Sequence, residues 1–152
     1  MNMTQPEHRS DPGLATSLRI SVSRLARRLR VEKTAAGLGG PELSATQLAA
    51  LATLERRGAM TPGELAEHEK VQPPSMTRVI SALVELQLVR REPHLSDRRQ
   101  VVLTVTGAGR DLVNKARRRR DAWLAQRLKD LSPDERATLR AAAPILEKLS
   151  QS

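Results

Sequence analysis

Between Gln72 and Leu86 the apolar residues fall at Met76, Val79, Ile80, Leu83 and Val84. That one-sided stripe predicts an amphipathic helix. Its other face opens with Gln72, Ser75, Thr77 and Arg78, and Pro73 and Pro74 suit a first helical turn, where a missing N–H does no harm. The pattern predicts five further helices around this one. Leu14, Leu18, Val22, Leu25 and Leu29 mark the first, from Leu14 to about Ala35, with Gly37, Gly39, Gly40 and Pro41 ending it. Ser44 and Gln47 form a capping box for the second, which buries Leu48, Leu51 and Leu54 and stops at Gly58. Thr61 and Glu64 form another for a short third helix, Pro62 to about Glu69. The link Lys70 to Gln72 then feeds the central helix. A short helix, a tight turn and a second helix with a polar first turn make a helix-turn-helix.

Beyond Leu86 the period changes. Residues 88–92 and 100–106 read as strands, the second rich in β-branched side chains. The charged stretch 93–99 between them makes a hairpin, the wing of a winged helix. Thr106 caps a long helix, Gly107 to about Leu131, whose apolar side carries Leu112, Ala116, Trp123, Leu124 and Leu128. Ser132 and Glu135 open the last, which runs to about Leu149 with Leu139, Ala142, Leu146 and Leu149 on one side; Pro144 is expected to kink it or thin its hydrogen bonding. The fold expected is mainly α with a small β-wing: an arm at 1–13, an N-terminal helix and connection at 14–42, a winged helix-turn-helix at 43–106 and C-terminal helices at 107–152. The end helices carry more apolar surface than so small a head can cover. A homodimer built from both chain ends would bury it and set two reading helices about 34 Å apart, one turn of DNA.

Charge sharpens this picture. The chain has 26 Lys and Arg against 17 Asp and Glu, a formal net charge of +9. Most of that excess lies between Leu88 and Arg120, around the wing and the helix leaving it. A polyanionic partner fits such a balance. With Trp123 as the single aromatic residue there is no stacking platform for single strands, so the partner expected is duplex DNA. The run Arg117 to Arg120 cannot share one helix face, so part of it is solvated.

Other chemistries find little footing. There is no cysteine, hence no disulfide, thiolate nucleophile or thiol redox sensor. His8, His68 and His94 are scattered over arm, short helix and wing, with no Gly-rich phosphate loop and no HExxH. His68 sits among Glu64, Glu67 and Glu69, which do not share a face and read as solvated charge rather than a metal site. The expectation is a non-enzyme without cofactor or metal. No apolar stretch would span a membrane, and the arm has no apolar leader core, which fits the cytosol.

The succession of elements resembles the MarR family of bacterial transcription regulators. The resemblance covers about Leu14 to Leu149. It rests on Leu43 to Leu48, Met60 to Ala66, Pro73 to Arg78, Leu88 to Arg91, and Asp97 to Arg99 followed by Val102 to Thr106. It implies an obligate dimer that binds palindromic double-stranded DNA and represses nearby genes. By motif match Ser75, Thr77 and Arg78 face the major groove with Gln72 nearby; capping or phosphate contact is the plainer alternative for Ser75 and Thr77. Arg98 reaches from the wing tip into the minor groove, and Asp97 and Arg99 hold the wing by an ion pair or backbone bonds. Two departures stand out. His94 and Leu95 replace the Asp-Pro usual at the start of the wing tip, and Gln87 replaces the Gly that often ends the reading helix, so a left-handed cap there is strained or absent. Many members release DNA when a small aromatic or anionic effector enters a cleft lined by the first, second and fifth helices. Here Arg24, Arg27 and Arg28 are candidates for a carboxylate and Trp123 for a ring; the competing assignment is a solvated arginine face and a core tryptophan. A sequence-tolerant architectural nucleic-acid-binding protein is the alternative to a specific regulator.

Overall fold

The structure is a computed structural model that describes residues 11–31 and 40–151. The arm's first ten residues, the end of the first predicted helix and most of the glycine-rich connection lie outside the described residues. Six helices and one hairpin follow in order: α1 (Pro12–Val31), α2 (Ala45–Arg57), α3 (Pro62–Glu69), α4 (Pro73–Glu85), β1 (Val89–Pro93), β2 (Val101–Val105), α5 (Gly107–Leu128) and α6 (Pro133–Ser150). Helix α1 begins at Pro12, two residues before its first apolar position. Asp11 caps it, its carboxylate accepting from the Leu14 N–H at 3.0 Å.

The three predicted capping boxes all form. Ser44, Thr61 and Ser132 each accept from the amide three residues on, and Gln47, Glu64 and Glu135 reach back to the cap N–H. Each box satisfies two of the donors that a helix start leaves unpaired. Helix α6 runs through Pro144 without interruption. Its first turn is fastened to the end of α5 by Arg136, whose guanidinium donates to the Leu131 carbonyl at 2.8 Å and the Leu128 carbonyl at 3.4 Å.

One core holds the central elements. Leu48, Leu51 and Leu54 of α2, Leu65 of α3, Met76, Ile80 and Leu83 of α4, Leu103 of β2 and Leu112 and Val113 of α5 are all buried together. The stripe of α4 is therefore the wall of the head, with Val79 and Val84 half-buried at its margin. Strands β1 and β2 pair antiparallel, with Val89 opposite Val105 and Pro93 opposite Val101. Met60, just before α3, adds a bridge to Leu103 on the free edge of β2 through bonds of 2.7 and 3.3 Å. That pairing locks the start of the helix-turn-helix to the wing.

The end helices are packed differently. Neither α1 nor α6 has a buried residue. Leu14, Val22 and Leu25 of α1 and Leu139, Ile145 and Leu149 of α6 keep 44–61% of their surface exposed.

Candidate nucleic-acid interface

The reading helix is set by the turn before it. Helix α3 ends on Lys70 in the left-handed conformation, φ 52° and ψ 42°. The Val71 N–H then returns to the Ala66 carbonyl at 3.0 Å and the Lys70 N–H to Glu67 at 3.2 Å. This pair of bonds is a Schellman closure, which stops one helix and re-aims the chain for the next. Glu69, the last residue of α3, is anchored from behind. The buried Thr53 of α2 donates its hydroxyl to the Glu69 carboxylate, and His68 Nδ1 lies 3.4 Å from the same oxygen.

Helix α4 starts at Pro73 and Pro74, so two of its first-turn N–H groups do not exist. Recognition at this helix end falls to side chains rather than to backbone donors. Gln72, at the cap, makes no capping bond with its side chain. Gln72, Ser75, Thr77 and Arg78 are all exposed on the side away from the core. The Thr77 hydroxyl donates to the Pro73 carbonyl at 3.0 Å, which leaves its lone pairs and methyl outward. Among the described residues the side chains of Gln72, Ser75 and Arg78 have no protein partner.

Of the two outcomes expected at the end of α4, a strained left-handed cap or none, the first is found. Gln87 does adopt the left-handed conformation, φ 59°. The Gln87 N–H bonds to Val84 at 2.9 Å and the Leu88 N–H to Leu83 at 2.9 Å, a second Schellman closure. Thr106 secures it from across the hairpin: its hydroxyl donates to the Gln87 carbonyl at 2.7 Å and its N–H to the Leu88 carbonyl at 3.0 Å. The same hydroxyl accepts from Gly109 N–H at 3.1 Å as the cap of α5. One threonine thus joins the end of the reader, the base of the wing and the start of α5. Arg91 of β1 adds a tie that sequence reasoning missed, donating to the Ser81 hydroxyl of α4 at 3.3 Å.

At the wing tip Asp97 works through the backbone. Its carboxylate accepts from the Arg99 N–H and its carbonyl from the Gln100 N–H, both at 3.0 Å. Arg98 and Arg99 are exposed there, and Leu95 is fully exposed. His94 is half-buried rather than a free loop residue.

A cavity of about 310 Å³ opens among α1, α2 and α5. Its walls include Leu29 of α1 and Leu48, Ala49 and Ala52 of α2, and its charged lining residues are Arg30 and Arg120. The Arg120 Nε is buried without a hydrogen-bond partner among the described residues. The anticipated residues stand elsewhere. Arg24, Arg27 and Arg28 are exposed on α1, and Trp123 is half-buried with the Arg28 and Arg127 guanidiniums 5.7 and 5.3 Å from its ring centre. The Arg28 contact ties α1 to α5, while Arg127 covers the ring from one turn along the same helix. The arginine run is accordingly divided: Arg117 pairs with Glu55 of α2 at 3.3 Å, while Arg120 faces the cavity.

Comparison with known proteins bears on the whole of this arrangement. The MarR family model matches residues 43–101, from α2 through the helix-turn-helix, β1 and the wing tip to the first residue of β2. The chain is 49% identical to an uncharacterized HTH-type transcriptional regulator of Mycobacterium leprae, over 94% of this chain and 97% of that protein. It is 31% identical to the multiple antibiotic resistance protein MarR of Salmonella typhimurium, over 64% of this chain and 69% of that protein. The chain belongs to the MarR family. Its fold superposes on apo MarR of E. coli with a TM-score of 0.70 at 25% identity, covering 90% of this chain and 96% of the other. This MarR-family chain is therefore an HTH-type transcriptional regulator with a winged-helix head. Among the described residues no helix is long and apolar enough to cross a membrane.

Proposed function

We propose that two copies of this chain pair through α1 and α6 and bind a palindromic double-stranded DNA site as a specific repressor. The observation that carries the reading is the set Gln72, Ser75 and Arg78 on the exposed first two turns of α4, without protein partners among the described residues and flanked by a wing whose tip carries Arg98. Side chains at the first turn of a reading helix reach base edges in the major groove. An arginine at the wing tip suits a narrow minor groove, where the negative potential is strongest. Arg99, beside it, serves the phosphate backbone, which fixes register without reading sequence. A second copy is the natural cover for α1 and α6, whose apolar stripes the head leaves open.

The cavity among α1, α2 and α5 supports a further part of the reading, that a small anionic effector relieves repression. Aliphatic walls suit a hydrocarbon or ring, and Arg30 and Arg120 suit its carboxylate. The location is the one the family resemblance implies, with different arginines.

Fluorescence anisotropy decides the central claim. The duplex upstream of the protein's own gene is compared with a scrambled duplex across a salt series. A specific regulator binds its site at least about 10³-fold more tightly than random DNA. Equal affinity for both, with a steep salt slope, followed by no enriched palindrome in a selection from genomic fragments, would replace the regulator with a sequence-tolerant architectural protein.

A further inference from the structure

The wing tip is closed on one side by a histidine. The Ser96 N–H donates to His94 Nδ1 at 3.2 Å, and the Ser96 hydroxyl lies 2.9 Å from the same nitrogen. A side-chain acceptor that takes the amide two residues ahead is the arrangement Asn and Asp make in an Asx turn. An imidazole can fill that role only while Nδ1 keeps its lone pair, with the ring neutral and its proton on Nε2. His94 also stands at the neck of the tip, its own N–H bonded to the Gln100 carbonyl at 2.9 Å. The other half of the tip is closed by Asp97, through the Arg99 and Gln100 amides. Arg98 lies inside the Asp97 closure, two residues beyond Ser96, and has no side-chain bond of its own among the described residues.

We propose that neutral His94 is a positioning residue for Arg98: by accepting the Ser96 N–H it holds the wing tip in the form that presents Arg98 to DNA, and a proton on Nδ1 releases it. The presentation to DNA rests on the regulator reading above; the bond from Ser96 to His94 does not. The charged groups around the ring leave this bond as the one its protonation breaks. Glu92 on the same strand is turned to Arg90 at 3.7 Å, and Asp97 is engaged by the Arg99 N–H. No ion pair to His94 forms among the described residues, and the nearest cations along the chain are Arg91, then Arg90 and Arg98.

Two measurements on the full chain test this. The first needs no DNA: nitrogen NMR of the labelled protein follows the His94 ring and the Ser96 amide through a pH titration. We expect the neutral ring to carry its proton on Nε2, and the Ser96 amide to shift in step with His94; in His94→Asn the same amide stays still. A proton on Nδ1 in the neutral ring, or a Ser96 amide indifferent to His94, would overturn the fastening. The second measures affinity for the upstream duplex at a pH where the ring is neutral. His94→Ala is expected to weaken specific binding roughly 2- to 10-fold, the range one hydrogen bond spans, and His94→Asn to restore it. Equal loss in both variants, or no loss in either, would overturn the positioning role. If the wild-type chain itself fails to distinguish the duplex from a scrambled one, the regulator reading falls and the link to DNA falls with it, while the NMR result still decides the Ser96 contact by itself.

Discussion

A Cβ placed on Gly109 would stand 2.3 Å from the Leu88 carbonyl oxygen and 3.2 Å from a Leu51 methyl. Helix α5 thus leaves the wing by passing directly over the backbone that ends the reader, and only a bare Cα fits there. The obstacle is a carbonyl already engaged by the Thr106 N–H, so it cannot swing aside without breaking that bond. Gly109→Ala is expected to destabilise the fold by roughly 1–3 kcal/mol, toward the upper end, as overpacking of a closed site does. Urea denaturation at fixed protein concentration measures it; unchanged stability would mean that α5 can slide off Leu88.

Gln87 offers the opposite case. Its left-handed backbone costs an L-residue roughly 1–2 kcal/mol that glycine does not incur. Its described bonds are made by backbone atoms alone. Gln87→Gly should therefore stabilise the head, by about 0.5–1 kcal/mol once the greater freedom of glycine in the unfolded chain is subtracted. A Tm raised by a few degrees at matched concentration is the expected reading, and a lowered one would show that the glutamine side chain contributes to the fold.

For Arg98, the measurement is binding. Arg98→Ala should weaken the specific duplex by roughly 1–3 kcal/mol at moderate salt without altering thermal stability. The tip owes nothing to that side chain, because His94, Asp97 and the backbone close it. Unaltered affinity would remove Arg98 from the interface.

The end helices make a prediction about assembly. Removal of residues 133–152 deletes α6 with its exposed Leu139, Ile145, Leu146 and Leu149. Sedimentation should then show monomers or unfolded chain in place of a dimer. A well-folded dimer after that deletion would place the pairing surface elsewhere.

The buried tie between α2 and α3 is open to a stability test as well. Thr53→Val keeps the shape and removes the donor to Glu69, whose side chain is only 16% exposed. A cost of about 1–2 kcal/mol is expected, because a part-buried carboxylate loses a partner. A neutral outcome would indicate that water or His68 replaces the hydroxyl.

Much of the architecture is written locally in the chain. A capping box needs a Ser or Thr and a Gln or Glu three residues on, so Ser44, Thr61 and Ser132 announce their helices from sequence alone. The stripe Met76, Ile80, Leu83 marks the buried face of α4 because burial follows the helical period, and the exposed Gln72, Ser75, Thr77 and Arg78 follow as its complement. The change of period after Leu86 marks the wing for the same reason.

Other features were decided only by the packed chain. The Gln87 cap closes because Thr106, 19 residues on, supplies a hydroxyl to its carbonyl; no rule of neighbouring residues contains that bond. Gly109 reads as an ordinary glycine until Leu88 is brought against it. The choice of Arg30 and Arg120 for the cavity, with Arg24, Arg27 and Arg28 outside and Trp123 between Arg28 and Arg127, depends on how α1 lies across α2 and α5. Sequence by itself determined which segments are helices, where the capping boxes start three of them and which faces are apolar, because these depend on residues within a turn or two of each other. Tertiary structure decided which polar groups meet, because a hydrogen bond or a close approach depends on the relative placement of whole elements, and local periodicity carries no information about that.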